Sequence, residues 1–205
     1  MLKIRATSGR RHHRATQIRV NAAEDLRFIR EAVEHSSRFT DLPGVGMVVI
    51  GCTALLATWL ASLQSDPRLW LATWAVEGVL AVSIALAAVA LKARANGSSL
   101  FALPTRTFFL GLLPALVAGG ALTAILADAG RYDLLPGLWL LLYGTAVVSA
   151  GAHAVRIVPI LGLCFMAFGG ITLVAPSGAG DVALAQGFGG LHIAFGALIA
   201  RRYGG

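Results

Sequence analysis

Six stretches of about 20 apolar residues dominate this chain, near positions 43–63, 69–91, 107–127, 134–153, 156–175 and 183–200. Each is long enough to cross roughly 30 Å of hydrocarbon as a helix at about 1.5 Å per residue. The runs are continuously apolar, whereas barrel strands are shorter and alternate in polarity. Only 13% of the 205 residues are charged, against about a quarter in a soluble domain. The sequence therefore predicts an all-α polytopic transmembrane bundle of six spans, over residues 41–205.

The net charge of +7 has a topological explanation. Nine cations precede the first run: Lys3, Arg5, Arg10, Arg11, Arg14, Arg19, Arg27, Arg30 and Arg38. Lys92, Arg94, Arg106, Arg156, Arg201 and Arg202 fall in loops or ends on the same side, leaving Arg68 and Arg131 opposite. The positive-inside rule then puts both termini in the cytoplasm. Trp59, Trp70, Trp74 and Trp139 lie near the expected outer interface, as one side of an aromatic belt would. The expected surroundings are the lipid bilayer, with no nucleic acid partner.

Residues 1–21 are basic, acid-free and without an apolar core, so they read as a disordered extension rather than a secretory signal. Their composition also suits an organellar transit peptide. Asn21, just ahead of 22–40, and Glu24 suggest a capping box, and Leu26, Ile29 and Val33 recur at helical spacing among Arg27, Arg30, Glu31 and Glu34. This predicts a cytoplasmic amphipathic helix. It either anchors topology at the membrane face or docks a cytoplasmic protein through Arg27 and Arg30.

Leu-Pro-Gly opens both 42–57 and 135–150, with Gly51 aligned to Gly144 and Ala57 to Ala150. An offset of three spans makes such a repeat inverted, as in many transporters. Small residues also recur four apart, at Gly111, Ala115 and Gly119, at Ala146, Ala150 and Ala154, and at Gly190 and Ala194. That spacing lets helices approach closely in lipid. Pro114 should kink the third span.

Ionisable groups at membrane depth are expensive and are functional candidates by default. Glu77 and His192 lie at similar depth, with Tyr143, Cys52 and Cys164 near the same layer. The sharpest expectation is a Glu77–His192 pair with Tyr143 as hydrogen-bond partner, relaying protons or binding a small polar solute. The bland alternative is a structural hydrogen bond between helices. No CxxC, HxxxH or ExxH spacing supports a metal, and bis-histidine haem would need His153, at the wrong depth. No cofactor or metal is expected. Neither cysteine lies in a loop, so no structural disulfide is expected either. Phosphate loops, nucleophile elbows and dinucleotide fingerprints are missing, and no catalytic residue is assigned.

The stretches LRFIREAVEHSSRFTDLPGVG (26–46), LLPGLWLLLYG (134–144), PILGLCFMAFGG (159–170) and GFGGLHIAFGALIARRYGG (187–205) resemble a family of uncharacterised bacterial integral membrane proteins. The resemblance implies a bacterial inner-membrane location and carries over no site residue. The functional expectation is a transporter-like or ligand-sensing membrane protein with a polar layer at the midplane. The alternatives are a structural or regulatory subunit, or a redox subunit holding haem or quinone.

Overall fold

A computed structural model describes residues 43–95, 103–152, 154–176 and 178–203. The expected helix over 22–40, with Arg27 and Arg30, lies outside the described residues, as does His153. Among the described residues, six helices are long and apolar enough to cross a membrane. They are α1 (Gly44–Ser62), α2 (Pro67–Ala95), α3 (Leu103–Asp128), α4 (Leu135–Gly151), α5 (Ile157–Val174) and a composite sixth span, Gly180–Arg202. The sixth span contains α6 (Gly180–Leu184), a π-helical segment (Ala185–Leu191) and α7 (His192–Tyr203). It begins three residues earlier than expected and so includes Asp181.

Prolines sit where helices begin, because a missing N–H costs nothing in the first turn. Pro43 precedes α1, Pro67 opens α2 and Pro136 lies in the first turn of α4. Asp66 caps α2, its Oδ1 accepting the Arg68 N–H at 2.8 Å. α3 ends in a Schellman turn, with Arg131 N–H bonded to Leu126 O at 2.8 Å and Gly130 at φ 70°. Pro114 lies inside α3 without ending it.

The closest packing follows glycines seven apart rather than four. In α4, Gly137 and Gly144 face Gly169 and Gly162 of the antiparallel α5. In α1, Gly44 and Gly51 face Gly196 and Gly189 of the sixth span. A Cβ at Gly144 would sit 2.6 Å from Gly162 O and Met166 N, and one at Gly51 would sit 2.7 Å from Gly189 O. Backbones in contact gain dispersion and Cα–H···O contacts, which replace the hydrophobic effect as the cohesive term in lipid. Of the stripes four apart, Gly111 does meet Ala150, its hypothetical Cβ 2.8 Å from Ala150 Cα. Gly190 and Ala194 are instead exposed, and a Cβ at Gly190 would meet nothing closer than Ala185 O at 3.9 Å.

These seams bear on the expected repeat. The aligned glycines of α1 and α4 do not meet corresponding partners: α1 uses its pair against the sixth span, whereas α4 uses its pair against α5. A correspondence of spans one to three with four to six would pair α4 with α3 in that role.

α2 and α3 are peripheral. α2 packs mainly on α1, and α3 mainly on α4. Their outer faces carry Val76, Val79, Leu113 and Val117 exposed at mid-helix, as lipid permits and water does not. The two ends of the bundle differ in charge. Lys92, Arg94, Arg106, Arg156, Arg201 and Arg202 fall at one end, and Asp66, Asp128, Asp133 and Asp181 at the other with Arg68 and Arg131.

Candidate functional site

Hydroxyls within the spans mostly bond back to their own helix. Thr58, Thr73, Ser83, Thr145 and Thr172 each donate to the carbonyl four residues earlier, which satisfies a polar group where no water is available. Side chains that bond between helices stand out against that background.

The first such group is aromatic. Trp70 and Trp139 stack with centroids 5.4 Å apart, Trp74 packs on both, and Phe188 follows at 6.0 Å from Trp74. Trp70 Nε1 donates to Asp181 Oδ1 at 2.8 Å. Trp139 Nε1 donates to Thr123 Oγ1 at 2.8 Å, and Thr123 passes its own hydrogen to Gly119 O at 2.7 Å. Three of the four tryptophans expected in an interfacial belt therefore join α2, α4 and the sixth span from within. Trp59 alone of the four is exposed. Trp74 Nε1 is buried without a hydrogen-bond acceptor among the described residues; the neighbouring ring faces are weak acceptors.

The column continues to His192, which is 3% exposed. Phe188 and Phe165 enclose its ring, with Phe165 at 5.3 Å. Tyr143 Oη lies 2.8 Å from Nε2, and Phe188 O lies 2.9 Å from Nδ1. A carbonyl only accepts, so Nδ1 carries the hydrogen; in the neutral ring Nε2 then accepts from the Tyr143 hydroxyl. The His192 N–H bonds to Gly189 O. The ring therefore donates to the carbonyl that an α-helix would offer that N–H. The π-helical segment, whose Gly187 admits Leu140 and whose Gly189 admits Leu55, sets this geometry. With both nitrogens engaged, a metal or haem at His192 would have to displace Tyr143.

Glu77 has a different partner. Thr53 Oγ1 on α1 lies 2.8 Å from Glu77 Oε1 on α2 and 2.9 Å from its own Ile50 O. The expected Glu77–His192 pair is thus not formed: each residue is committed elsewhere. Tyr143 does partner His192, as expected. Cys52 and Cys164 are free, and Cys52 is exposed, so it does not join the interior layer. Among the described residues no group of three His, Cys, Asp or Glu side chains could hold a metal ion.

Glu77 is 7% exposed and helps line a groove of about 440 Å³ between α1 and α2. The walls include Leu56, Leu60, Leu69, Val76 and Leu80, with Thr53 and Glu77 adding polar groups. Leu56, Leu69 and Val76 are each more than half exposed, so the groove opens sideways along the lipid-facing surface. Thr73 and Gln64 also line it, but their side chains donate to their own helix carbonyls at Leu69 and Leu60. Glu77 Oε2 has no partner among the described residues.

Sequence reasoning missed Thr53, Asp181 and the role of Phe188. Thr53 looks like any span threonine, and its contact with Glu77 depends on how α1 and α2 are rotated. The signal for Asp181 is its place as a lone acid at the start of the last apolar run.

No protein-family model, curated protein or solved structure matches this chain.

Proposed function

We propose that this is a bacterial inner-membrane protein, transporter-like or ligand-sensing, that takes a small solute or a proton into the groove between α1 and α2. Glu77 is the binding residue and Thr53 its positioning partner. One observation carries the reading: an acid near mid-span, with one oxygen held by Thr53 and the other unpartnered among the described residues, beside a groove large enough for a small molecule. His192 and Tyr143 hold α4 against the sixth span in this reading, and ligand does not reach them.

A hydrophobic carbodiimide tests it. Such reagents add to a protonated carboxyl that is reachable from lipid, and rearrangement leaves a stable acylurea. Peptide mass spectrometry is expected to find the adduct on Glu77 and to lose it in Glu77→Gln. A water-soluble carbodiimide should leave Glu77 unmodified. An unlabelled Glu77 in the folded protein would end the proposal.

Both termini are assigned to the cytoplasm, supported by the charge difference between the two ends of the bundle. Ser65→Cys in the α1–α2 loop should react with a membrane-impermeant maleimide added outside intact inner-membrane vesicles of native orientation, and Arg201→Cys should not. The reverse pattern would invert the topology.

A further inference from the structure

We infer that the groove exchanges the proton of Glu77 for a lipophilic monocation, an ammonium group on an apolar tail. The inference rests on the reading of this groove as the site, and adds the class of ligand and the charge balance.

Hydrogen-bond accounting comes first. Thr53 has one hydroxyl hydrogen and two oxygens in reach, Ile50 O at 2.9 Å and Glu77 Oε1 at 2.8 Å. If Thr53 donates to Ile50, the hydrogen between Thr53 and Glu77 has to come from the carboxyl. The fold contains the same arrangement elsewhere with its direction unambiguous: Trp139 N–H donates to Thr123, which donates to Gly119 O. With Glu77 as the neutral acid, this chain of three oxygens is thus fully bonded. If Thr53 turns its hydrogen to Glu77, the same three atoms support the carboxylate. One hydroxyl rotor serves both states with no movement of either helix.

Charge comes second. No Lys, Arg or His among the described residues lines the groove. The titratable side chains on the packed elements lie elsewhere: Arg68 at the loop end of α2, Lys92 and Arg94 at its far end, Cys52 exposed on α1 off the groove lining, and, on the sixth span, Asp181 bonded to Trp70, His192 engaged by Tyr143 and Phe188, and Arg201 and Arg202 at the far end. A carboxylate at this depth without a protein cation must keep its proton or take an external cation. Both states of the site are electrically neutral, as acid alone or as carboxylate plus cation. The groove never carries net charge, whereas an anion would meet no compensating group. The walls supply the apolar contact, since outward-facing Leu56, Leu69 and Val76 line the groove together with Glu77. The step balances: the O–H bond of the acid breaks, its proton passes to water, and the cation takes its place by charge contact without a covalent bond.

Octyltrimethylammonium is a suitable probe, because its charge is fixed and any proton released comes from the protein. Isothermal titration on the full chain in zwitterionic nanodiscs, in two buffers of different ionisation enthalpy, counts the protons, with protein-free discs as background. One proton released per bound cation is expected, with affinity rising about tenfold per pH unit while Glu77 starts protonated. Saturable binding should vanish in Glu77→Gln. Saturable binding without proton release, or equal displacement by 1-octanol, would overturn the exchange; no saturable binding by the unmodified protein would do the same. If the carbodiimide still labels Glu77 in that case, the groove remains the site and the ligand class alone is wrong. The proton count on the unmodified protein needs no variant to fold.

Discussion

Replacing Gly144 with valine is expected to cost about 3 kcal/mol, at the upper end of the usual range for overpacking. The helices cannot absorb the side chain, because a Cβ there already falls 2.6 Å from the backbone of α5 at Gly162 and Met166. Those atoms belong to the α4–α5 seam, so they move only if the helices part and Gly137 and Gly169 lose contact with them. The matched control is Gly170→Val on α5, where a Cβ meets nothing within 4 Å; a change within about 0.5 kcal/mol is expected there. Thermal unfolding and the monodisperse yield in mild detergent measure both. Equal effects at the two positions would show that the seam does not hold the bundle together.

The second large effect is at His192. Removing its ring in His192→Ala empties a buried position among Tyr143, Phe165 and Phe188, and truncation of a buried ring of this kind typically costs about 3–5 kcal/mol. Tyr143→Phe keeps the packing and leaves Nε2 without its donor, for about 1–3 kcal/mol. Combining the two should cost less than the sum, because they break one hydrogen bond between them. Unfolding in detergent measures all three. This changes how a loss of function in His192→Ala would be read. On the sequence alone, such a loss with the fold preserved is the signature of a binding residue; in the structure, His192 joins α4 to the sixth span, and its removal acts on the fold first. Glu77→Gln is the better functional probe, since the amide keeps the size of the side chain and its NH2 can still meet Thr53.

Half of the candidate site is legible in the sequence. Glu77 and His192 stand out because an ionisable group in an apolar run is rare and costly, and that is a property of the residue and its depth alone. Their pairing is not legible there. Similar depth says how far along the bundle two side chains lie and nothing about the direction each faces, which a few tens of degrees of helix rotation decide. Thr53 takes the place expected of His192 because α1 stands against α2, while Tyr143 reaches His192 because α4 packs beside the sixth span.

The fold divides the same way. Six apolar runs, prolines at helix starts and cations gathered at one end are enough to set six spanning helices and their alternation. They follow from the cost of an unsatisfied backbone in hydrocarbon, which each helix settles within itself. Which helices touch is decided between helices, where lipid supplies no hydrophobic drive and contact depends on how near two backbones can come. Spacing of four in the sequence suggests Gly190 and Ala194 for the sixth span, whereas the folded chain uses Gly189 and Gly196 against Gly51 and Gly44. Both patterns are present in the same run of residues. The choice belongs to the tertiary structure, because a glycine becomes a contact only when a partner helix comes up against it at the same level.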